Sequence, residues 1–301
     1  MLVNASAINA VFVNLRTTFN NAFQAAPSRW ASVAMKVPST TRQEDYAWLS
    51  NFPQMRKWIG EKQVRSLAAH KYSIVNDDWE ATVEVDRNDI EDDTLGIYGP
   101  QAQMAGYSAA QLPDELVWPL LNNGFAATCF DGQYFFDDDH PVGAGVKSNK
   151  GSAALSVATQ ALANTSYGAA RTALATMQDD EGRPLNISGD TLVVPPALEL
   201  TALALLGSDR LDDGKTNPFK GTAKVEVVPW LSSATAWFLL DTKRPIKPLI
   251  YQERKAPVFV QMTDPQTENV FMRRKFLFGA EARGASGYGF WQMAYGSTGT
   301  G

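Results

Sequence analysis

The apolar residues are unevenly distributed along the chain, and residues 31–86 are the stretch that most restricts how it can fold. Two β-prone runs, 71–75 and 82–85, flank Asn76-Asp-Asp78, which predicts a turn between strands. The stretch has too few large apolar side chains for its length to bury a core of its own. We therefore predict an extended, hairpin-like segment that depends for its contacts on another part of the protein or on another copy.

The segments on either side of this stretch predict helices. In residues 6–24 apolar side chains recur at three- and four-residue steps, which is typical of a helix with one buried face. Such a helix packs either on its own core or across a neighbouring subunit, and the sequence leaves both alternatives open. Residues 88–122 predict the longest helix. Because Pro100, Pro113 and Pro119 each remove a backbone N–H donor, we predict a kinked or two-piece helix rather than one straight rod.

The second half of the chain predicts a mixed α/β domain. Residues 126–244 alternate between helical and β-prone runs over ~120 residues, a usual size for one domain. Within it, the run 191–194 predicts a buried strand that ends at two prolines. Farther on, the runs 249–262 and 270–282 predict a long β-hairpin.

The composition excludes several classes of protein. The 27 Lys and Arg against 32 Asp and Glu give a formal net charge of −5, whereas a dedicated nucleic-acid-binding protein usually presents a basic face. The single cysteine cannot form an internal disulfide, and it excludes sites built from several thiolates. No run reaches the ~18 apolar residues that a membrane span needs, so no membrane partner is expected. Phosphate-binding loops and the serine-hydrolase elbow are absent from the sequence.

The sharpest polar cluster is Asp137-Asp-Asp-His140. Carboxylates and an imidazole can bind a divalent cation, but adjacent residues of an extended chain point in alternating directions. Two interpretations stay open: a solvated acidic loop, which we favour, and the metal site of an α/β hydrolase. Cys129 follows small, mostly apolar residues and predicts a buried structural thiol. We interpret His70 as a surface or packed side chain.

Three motifs, in order, resemble the major head subunit of Mu-like phages and prophages. They are Phe130-Asp-Gly-Gln-Tyr-Phe-Phe-Asp-Asp-Asp-His-Pro141, the run from Gly182-Arg-Pro-Leu185 to Thr191-Leu-Val-Val-Pro-Pro196, and Tyr288-Gly-Phe-Trp-Gln-Met-Ala-Tyr-Gly-Ser297. The resemblance implies an α+β fold of the HK97 capsid type. It also implies the domain ranges: an N-terminal arm (1–30), an extended E-loop (31–86), a P-domain spine helix (87–125), an inserted A-domain (126–244) and returning P-domain strands with the C-terminus (245–301).

The same resemblance implies a structural role. A subunit of this kind assembles in the host cytoplasm, through hexamers and pentamers, into the icosahedral head of a virion. Its partners are copies of itself and, by non-specific proximity, packaged double-stranded DNA; contacts with scaffold, portal and decoration proteins stay open. We expect no catalytic residue, metal or cofactor. The alternative is the α/β metal-dependent hydrolase built on Asp137–His140.

Two sets of charged residues are candidates for contacts between subunits. We predict that five cations form a basic patch on the long hairpin and that four acids lie at the start of the long helix. A contact between the acids of one subunit and the cations of the next is one interpretation; solvated faces, or pairs within one subunit, are the other. The residues are Asp89, Glu91, Asp92, Asp93, Arg254, Lys255, Arg273, Arg274 and Lys275.

Overall fold

The computed structural model describes residues 5–50, 72–91, 96, 98–143, 145–179, 181–264 and 267–301. The helices of this part are α1 (Ala5–Ala25), α2 (Arg87–Glu91), α3 (Tyr98–Val117), α4 (Pro119–Asn123), α5 (Gln160–Ala163), α6 (Ala169–Ala175), α7 (Glu199–Gly207) and α8 (Glu268–Arg273). The strands are β1 (Ala34–Pro38), β2 (Gln43–Asp45), β3 (Ser73–Val75), β4 (Asp77–Asp86), β5 (His140–Val142), β6 (Gly145–Lys147), β7 (Lys150–Gly151), β8 (Thr191–Val194), β9 (Lys224–Val227), β10 (Trp237–Leu240), β11 (Leu249–Met262), β12 (Lys275–Tyr288) and β13 (Ala294–Ser297). The His70 prediction lies outside the described residues.

A four-stranded sheet in the order β1-β11-β12-β4 forms the first lobe. The hairpin predicted from the two long β runs is its centre, because β11 and β12 pair antiparallel along most of their length. β1 joins β11 in parallel and β4 joins β12 antiparallel, so segments far apart in sequence complete the sheet.

Helices α1 and α3 cover one face of this sheet. Phe12 of α1 is fully buried, and its ring centroid lies 6.1 Å from that of Phe276 and 6.3 Å from that of Phe278 on β12. Phe19 packs on Phe259 of β11 with centroids 5.4 Å apart. Of the two alternatives for the terminal helix, the structure therefore shows the one in which it packs on its own core.

The prediction that the helix is not one straight rod is confirmed, although α2 is a further separate helix at its predicted start. Pro113 lies inside α3, and Pro119 is the first residue of α4. The residue between the two helices, Trp118, is fully buried, so the break is packed against the core and not left in solvent.

The second lobe is a five-stranded sheet in the order β7-β13-β10-β8-β9, with α6 and α7 packed beside it. The predicted buried strand is β8, whose four residues are all buried. Its apolar core is continuous with the base of the first lobe, because Val117, Trp118 and Tyr251 belong to the same buried cluster.

Two strand predictions are wrong. The strands on either side of Asn76 do not pair with each other: β3 pairs with β2, whereas β4 pairs with β12. Asn76 is the single residue between β3 and β4, and it is buried. Its side-chain amide donates a hydrogen bond to Ser39 Oγ at 2.8 Å. The second strand of the hairpin starts at Lys275 and not at residue 270, because 268–273 form helix α8.

Candidate functional site

The five predicted cations do not form one patch. On the β11–β12 ladder Lys255 faces Arg283, whereas Lys275 faces Asp86 on β4. Positions 275 and 283 are eight residues apart, which at ~3.3 Å per residue is about 26 Å. Arg254 and Lys255 therefore lie near the middle of the hairpin, and the other three cations lie at its tip.

Three of the cations have partners within the same chain. Lys255 Nζ lies 2.9 Å from Glu281 Oε2, and Lys275 forms an ion pair with Glu84 on β4. Arg254 Nη1 donates to the carbonyl oxygen of Ser39 at 3.3 Å. These contacts support the interpretation that part of the charge pairs within one subunit.

The remaining cations, Arg273 and Arg274, are exposed at the hairpin tip. Within the described ranges neither makes an ion pair. Arg274 adopts the left-handed conformation, with φ of 58°, which ends α8 and turns the chain into β12. Its carbonyl oxygen accepts a hydrogen bond from Arg87 N at 2.9 Å, so the start of α2 lies against the hairpin tip.

The start of α2, which carries Asp89, therefore lies at the same end of the sheet as the tip cations. Asp89 is half-buried and accepts a hydrogen bond from the Tyr98 hydroxyl, whose pKa is raised by burial and by this carboxylate. Glu91 is the last residue of α2. Asp92 and Asp93 lie outside the described residues.

The residues of the cluster Asp137–His140 have different environments, so the favoured interpretation of a solvated acidic loop holds for Asp138 and Asp139 but not for His140. Asp138 and Asp139 are exposed, but His140 is fully buried. Asp137 closes a local turn, where its carboxylate accepts the backbone N–H of Tyr134 at 3.3 Å. His140 is the first residue of β5 and its imidazole is buried, whereas Asp138 and Asp139 lie in the bend before the strand and face solvent.

The groups that converge with His140 are Asp131 and Cys129. Asp131 Oδ2 lies 2.7 Å from His140 Nδ1, and the Cys129 thiol donates to Asp131 Oδ1 at 3.1 Å. One ligand atom from each of the three side chains lies within 4.8 Å of the others, which is close enough to surround a cation. In this structure, however, the same atoms are engaged in hydrogen bonds with one another.

The electrostatics of these groups follow from burial and from those hydrogen bonds. Burial and the Asp131 carboxylate raise the pKa of the Cys129 thiol, so the prediction of a buried structural thiol is confirmed. Burial alone would raise the pKa of Asp131, but hydrogen bonds from His140 and Cys129 outweigh it and lower that pKa. The carboxylate is thus held in its charged form.

A second buried polar network joins the root of the 31–86 segment to β11. Gln252 is fully buried; its Oε1 accepts the Tyr46 hydroxyl at 2.7 Å, and its Nε2 donates to Asn76 Oδ1 at 2.8 Å. Asn76 Nδ2 in turn donates to the Thr41 carbonyl at 2.9 Å. Buried groups that satisfy one another in this way fix the position of the segment at its root.

Sequence reasoning missed Asp131, Asn149 and Gln252, which are the centres of the two networks. Asp131 precedes Gly132, whose φ of +89° marks a turn, and an Asp-Gly pair after a cysteine was the one local signal available. Gln252 is followed by Glu253-Arg254-Lys255, and these charged neighbours in sequence gave no local sign that its amide is buried.

Solved structures that resemble this chain define its class. The procapsid subunit of bacteriophage JBD30 matches 98% of this chain and 76% of its own, with 34% identity and a TM-score of 0.62. The JBD30 capsid subunit matches 70% of this chain and 93% of its own, with 31% identity and a TM-score of 0.60. A virus-like particle from Pyrococcus furiosus, at 10% identity and a TM-score of 0.55, shares the fold. The fold is that of the HK97-type phage capsid proteins.

The sequence comparisons give the family. The family described as Mu-like prophage major head subunit gpT matches residues 8–159, 153–231 and 232–300. The Mu-like prophage FluMu major head subunit of Haemophilus influenzae is 36% identical over 97% of this chain and 73% of its own length. The major capsid protein of Escherichia phage Mu is 35% identical over 98% of this chain and 74% of its own. The chain belongs to this family and is a major capsid protein of the virion.

These findings confirm the resemblance and the α+β capsid fold expected from the sequence, and they give the hydrolase alternative no support. Within the described ranges, no helix combines the length and the apolar character that crossing a bilayer requires.

Proposed function

We propose that this chain assembles through hexamers and pentamers into a closed icosahedral head around double-stranded DNA, and that it acts by assembly and not by catalysis. The observation that carries the proposal is the match to capsid subunits over nearly the whole chain. Asp137 is engaged in a turn and His140 is buried in the core, which supports the proposal that the chain does not act by catalysis. We further propose the domain ranges of the capsid fold: arm 1–30, E-loop 31–86, spine helix 87–125, A-domain 126–244 and returning strands 245–301.

Exposed apolar side chains support contacts between copies. On α7, Leu200 is 81% exposed and Leu203 is 49% exposed, and the two lie one turn apart on the same face. Adjacent exposed leucines on one helix face are typical of a surface that another protein covers, and in an assembling subunit a neighbouring copy can bury them.

Expression of the chain followed by size-exclusion chromatography and negative-stain imaging tests the proposed function. We expect capsomers or closed particles and no metal-dependent hydrolysis. A small uniform oligomer whose hydrolytic turnover is lost in Asp137→Ala would contradict the proposal.

The chain's partners can be tested in the same preparations. The net charge of −5 predicts only weak, non-specific attraction of the subunit to DNA. One JBD30 structure is decorated with minor capsid protein trimers, so a decoration protein is a further candidate partner, as are scaffold and portal proteins.

We also propose that Arg273 and Arg274 contact the acids of a neighbouring subunit, including Asp92 and Asp93. The support is that these two cations are exposed at the hairpin tip, while Lys255 and Lys275 are already paired within the chain. The start of α2 lies at the hairpin tip, so the acids that follow it in sequence are close in sequence to the tip cations. Such a contact therefore joins the hairpin-tip regions of neighbouring subunits around a symmetry axis.

Charge reversal tests this contact. Arg273→Glu with Arg274→Glu should leave thermal unfolding unchanged and lower the particle yield, because each pair is worth only ~0–1 kcal/mol but is repeated across the shell. Partial rescue by Asp92→Lys with Asp93→Lys is expected. Lys224→Glu with Lys243→Glu, two exposed cations of the other lobe, is a control with the same charge change. Full particle yield from the hairpin double reversal would contradict the contact.

A further inference from the structure

Three side chains with metal-binding atoms converge near the turn that follows α4, and the proposed function makes no use of them. Cys129 and Asp131 belong to this turn, and His140 is the first residue of β5. Asp131 Oδ2 lies 2.7 Å from His140 Nδ1, and Cys129 Sγ lies 3.1 Å from Asp131 Oδ1. One ligand atom of each residue lies within 4.8 Å of the other two. A thiol, a carboxylate and an imidazole are the groups that bind zinc in proteins.

The spacing of these atoms suits a tetrahedrally coordinated ion. In such a site the ligand atoms lie ~2.0–2.3 Å from the zinc, which places them about 3.3–3.6 Å from one another. The separations between the three side chains, from 2.7 Å to at most 4.8 Å, lie on either side of this value. Small changes in side-chain torsion angles therefore bring one atom of each residue to a common ion.

The far side of the His140 ring is arranged as in a metal-binding histidine. A histidine that binds a metal through one nitrogen usually donates a hydrogen bond from the other, and this hydrogen bond sets the orientation of the ring. His140 Nε2 lies 3.2 Å from Asn149 Oδ1. The Asn149 amide is itself fixed, because its Nδ2 donates to the carbonyl oxygens of Phe135 at 2.8 Å and Trp291 at 3.2 Å. Asn149 thus holds the ring with Nδ1 directed at the other two ligands.

The charges of the three groups also favour a divalent ion. The His140 side chain is fully buried and that of Asp131 is 10% exposed, so a charge at this position has to be compensated by its neighbours. A thiolate and a carboxylate carry two negative charges, which neutralise one divalent ion. The thiol proton of Cys129 passes to solvent when the ion binds. Because thiolate is a soft ligand, the set selects zinc over magnesium or calcium.

We propose that Cys129, Asp131 and His140 bind a zinc ion that cross-links the turn after α4 to the start of β5. Residues 124–139, which connect these two elements, form turns and bends. Because a metal site forms only in the folded chain, the free energy of binding the ion stabilises this irregular segment. The site was not predicted from the sequence, since the cluster Asp137–His140 contributes only its histidine and the other two ligands precede it.

Metal binding by the purified full chain tests the proposal. After equilibration with zinc and removal of free ions, we expect about one zinc per chain and a higher unfolding temperature than in the same protein treated with a chelator. Cobalt in place of zinc should produce the near-ultraviolet absorption of a cobalt–thiolate bond. A wild-type chain that retains no metal and whose unfolding temperature does not respond to zinc would overturn the proposal. The three side chains would then be hydrogen-bonding partners only.

Two variants identify the ligands of the ion. Cys129→Ala should lose both the cobalt–thiolate absorption and the rise in unfolding temperature with zinc, because it lacks the only thiol of the chain. Asp138→Asn, at an exposed acid of the same segment, is the matched control and should keep both. Zinc bound as tightly by Cys129→Ala as by the wild type would place the ion elsewhere and overturn the proposal. The wild-type absorption and metal content decide the question even where a variant does not fold.

Discussion

Asp114 illustrates how one buried carboxylate fixes the junction between the terminal helix and the rest of the chain. It lies on α3, is 1% exposed, and accepts the backbone N–H groups of Arg29 at 3.0 Å and Trp30 at 2.7 Å. The Trp118 indole donates to it as well, at 2.9 Å. Three donors compensate for the desolvation of the charge, so the segment after α1 is tied to α3 by hydrogen bonds as well as by packing.

Removal of this carboxylate should be costly. Asp114→Ala leaves one buried and two part-buried N–H groups without this acceptor, and we expect the free energy of unfolding to fall by ~3 kcal/mol. Glu115→Ala removes an adjacent but exposed carboxylate and should change it by less than ~0.5 kcal/mol. Denaturant unfolding of both variants measures the difference. Similar values for the two variants would show that the buried contacts do not stabilise the junction.

Glu44 provides a prediction for acidic pH. Hydrogen bonds from the backbone of Thr40 and Thr41 and from the Ser39 hydroxyl lower its pKa to about 2. A lowered pKa in the folded state means that the contribution to stability is present above the unfolded value and is lost as pH falls through about 2. An NMR titration of the Glu44 carboxyl carbon should therefore show its midpoint near 2 and not near the ordinary ~4.3. An ordinary midpoint would mean that this turn does not form around the carboxylate.

At the scale of secondary-structure elements, the sequence predicted those features that depend only on neighbouring residues. The one-sided apolar pattern of α1, the break before Pro119 and the buried strand β8 follow from periodicity and from proline chemistry, and all three are present. Arrangements decided by distant residues were not predictable. Asn76 ends one strand pairing and begins another because its partners are Ser39, Thr41 and Gln252.

In the candidate site, too, features set by neighbouring residues were predictable and features set by distant residues were not. The burial of Cys129 followed from its apolar neighbours in sequence. The inward direction of His140 depends on Asn149 and Trp291, which no local pattern connects to it. The prediction of one basic patch was wrong because two cations on paired strands are close only when the strand register places them opposite each other. The register of β11 with β12 places Lys255 opposite Arg283, far from Lys275.

Residues 31–86 carry the prediction that belongs to this scale. The buried Gln252 network holds the root of the segment, so we expect its residues near Tyr46 and Asn76 to be protected from amide exchange in the isolated subunit. Strands β1 and β4 are paired in the four-stranded sheet and should be protected as well. We expect only the remainder of the segment to be cut by proteases and to exchange quickly until assembly covers it with a neighbouring copy. Limited proteolysis and hydrogen exchange before and after assembly measure this. Equal protection of the whole segment in both states would contradict it.

At the scale of the whole molecule, the second lobe shares its apolar core with the base of the first lobe, and α1 packs on the long hairpin in separate buried clusters. Charged and apolar side chains stay exposed at separate places. The hairpin tip carries Arg273 and Arg274, and α7 carries Leu200 and Leu203. A subunit that makes contacts at several places on its surface is able to build a closed shell, whereas a single self-complementary patch stops at a dimer.

Cryo-electron microscopy of the particles formed by the purified chain is the decisive test of assembly. We expect closed shells built from hexamers and pentamers, in which this subunit fold fits each position and the hairpin tips of neighbouring subunits meet. A preparation of correctly folded chain that forms only a small uniform oligomer under every assembly condition, with the hairpin tip and α7 facing solvent, would contradict it.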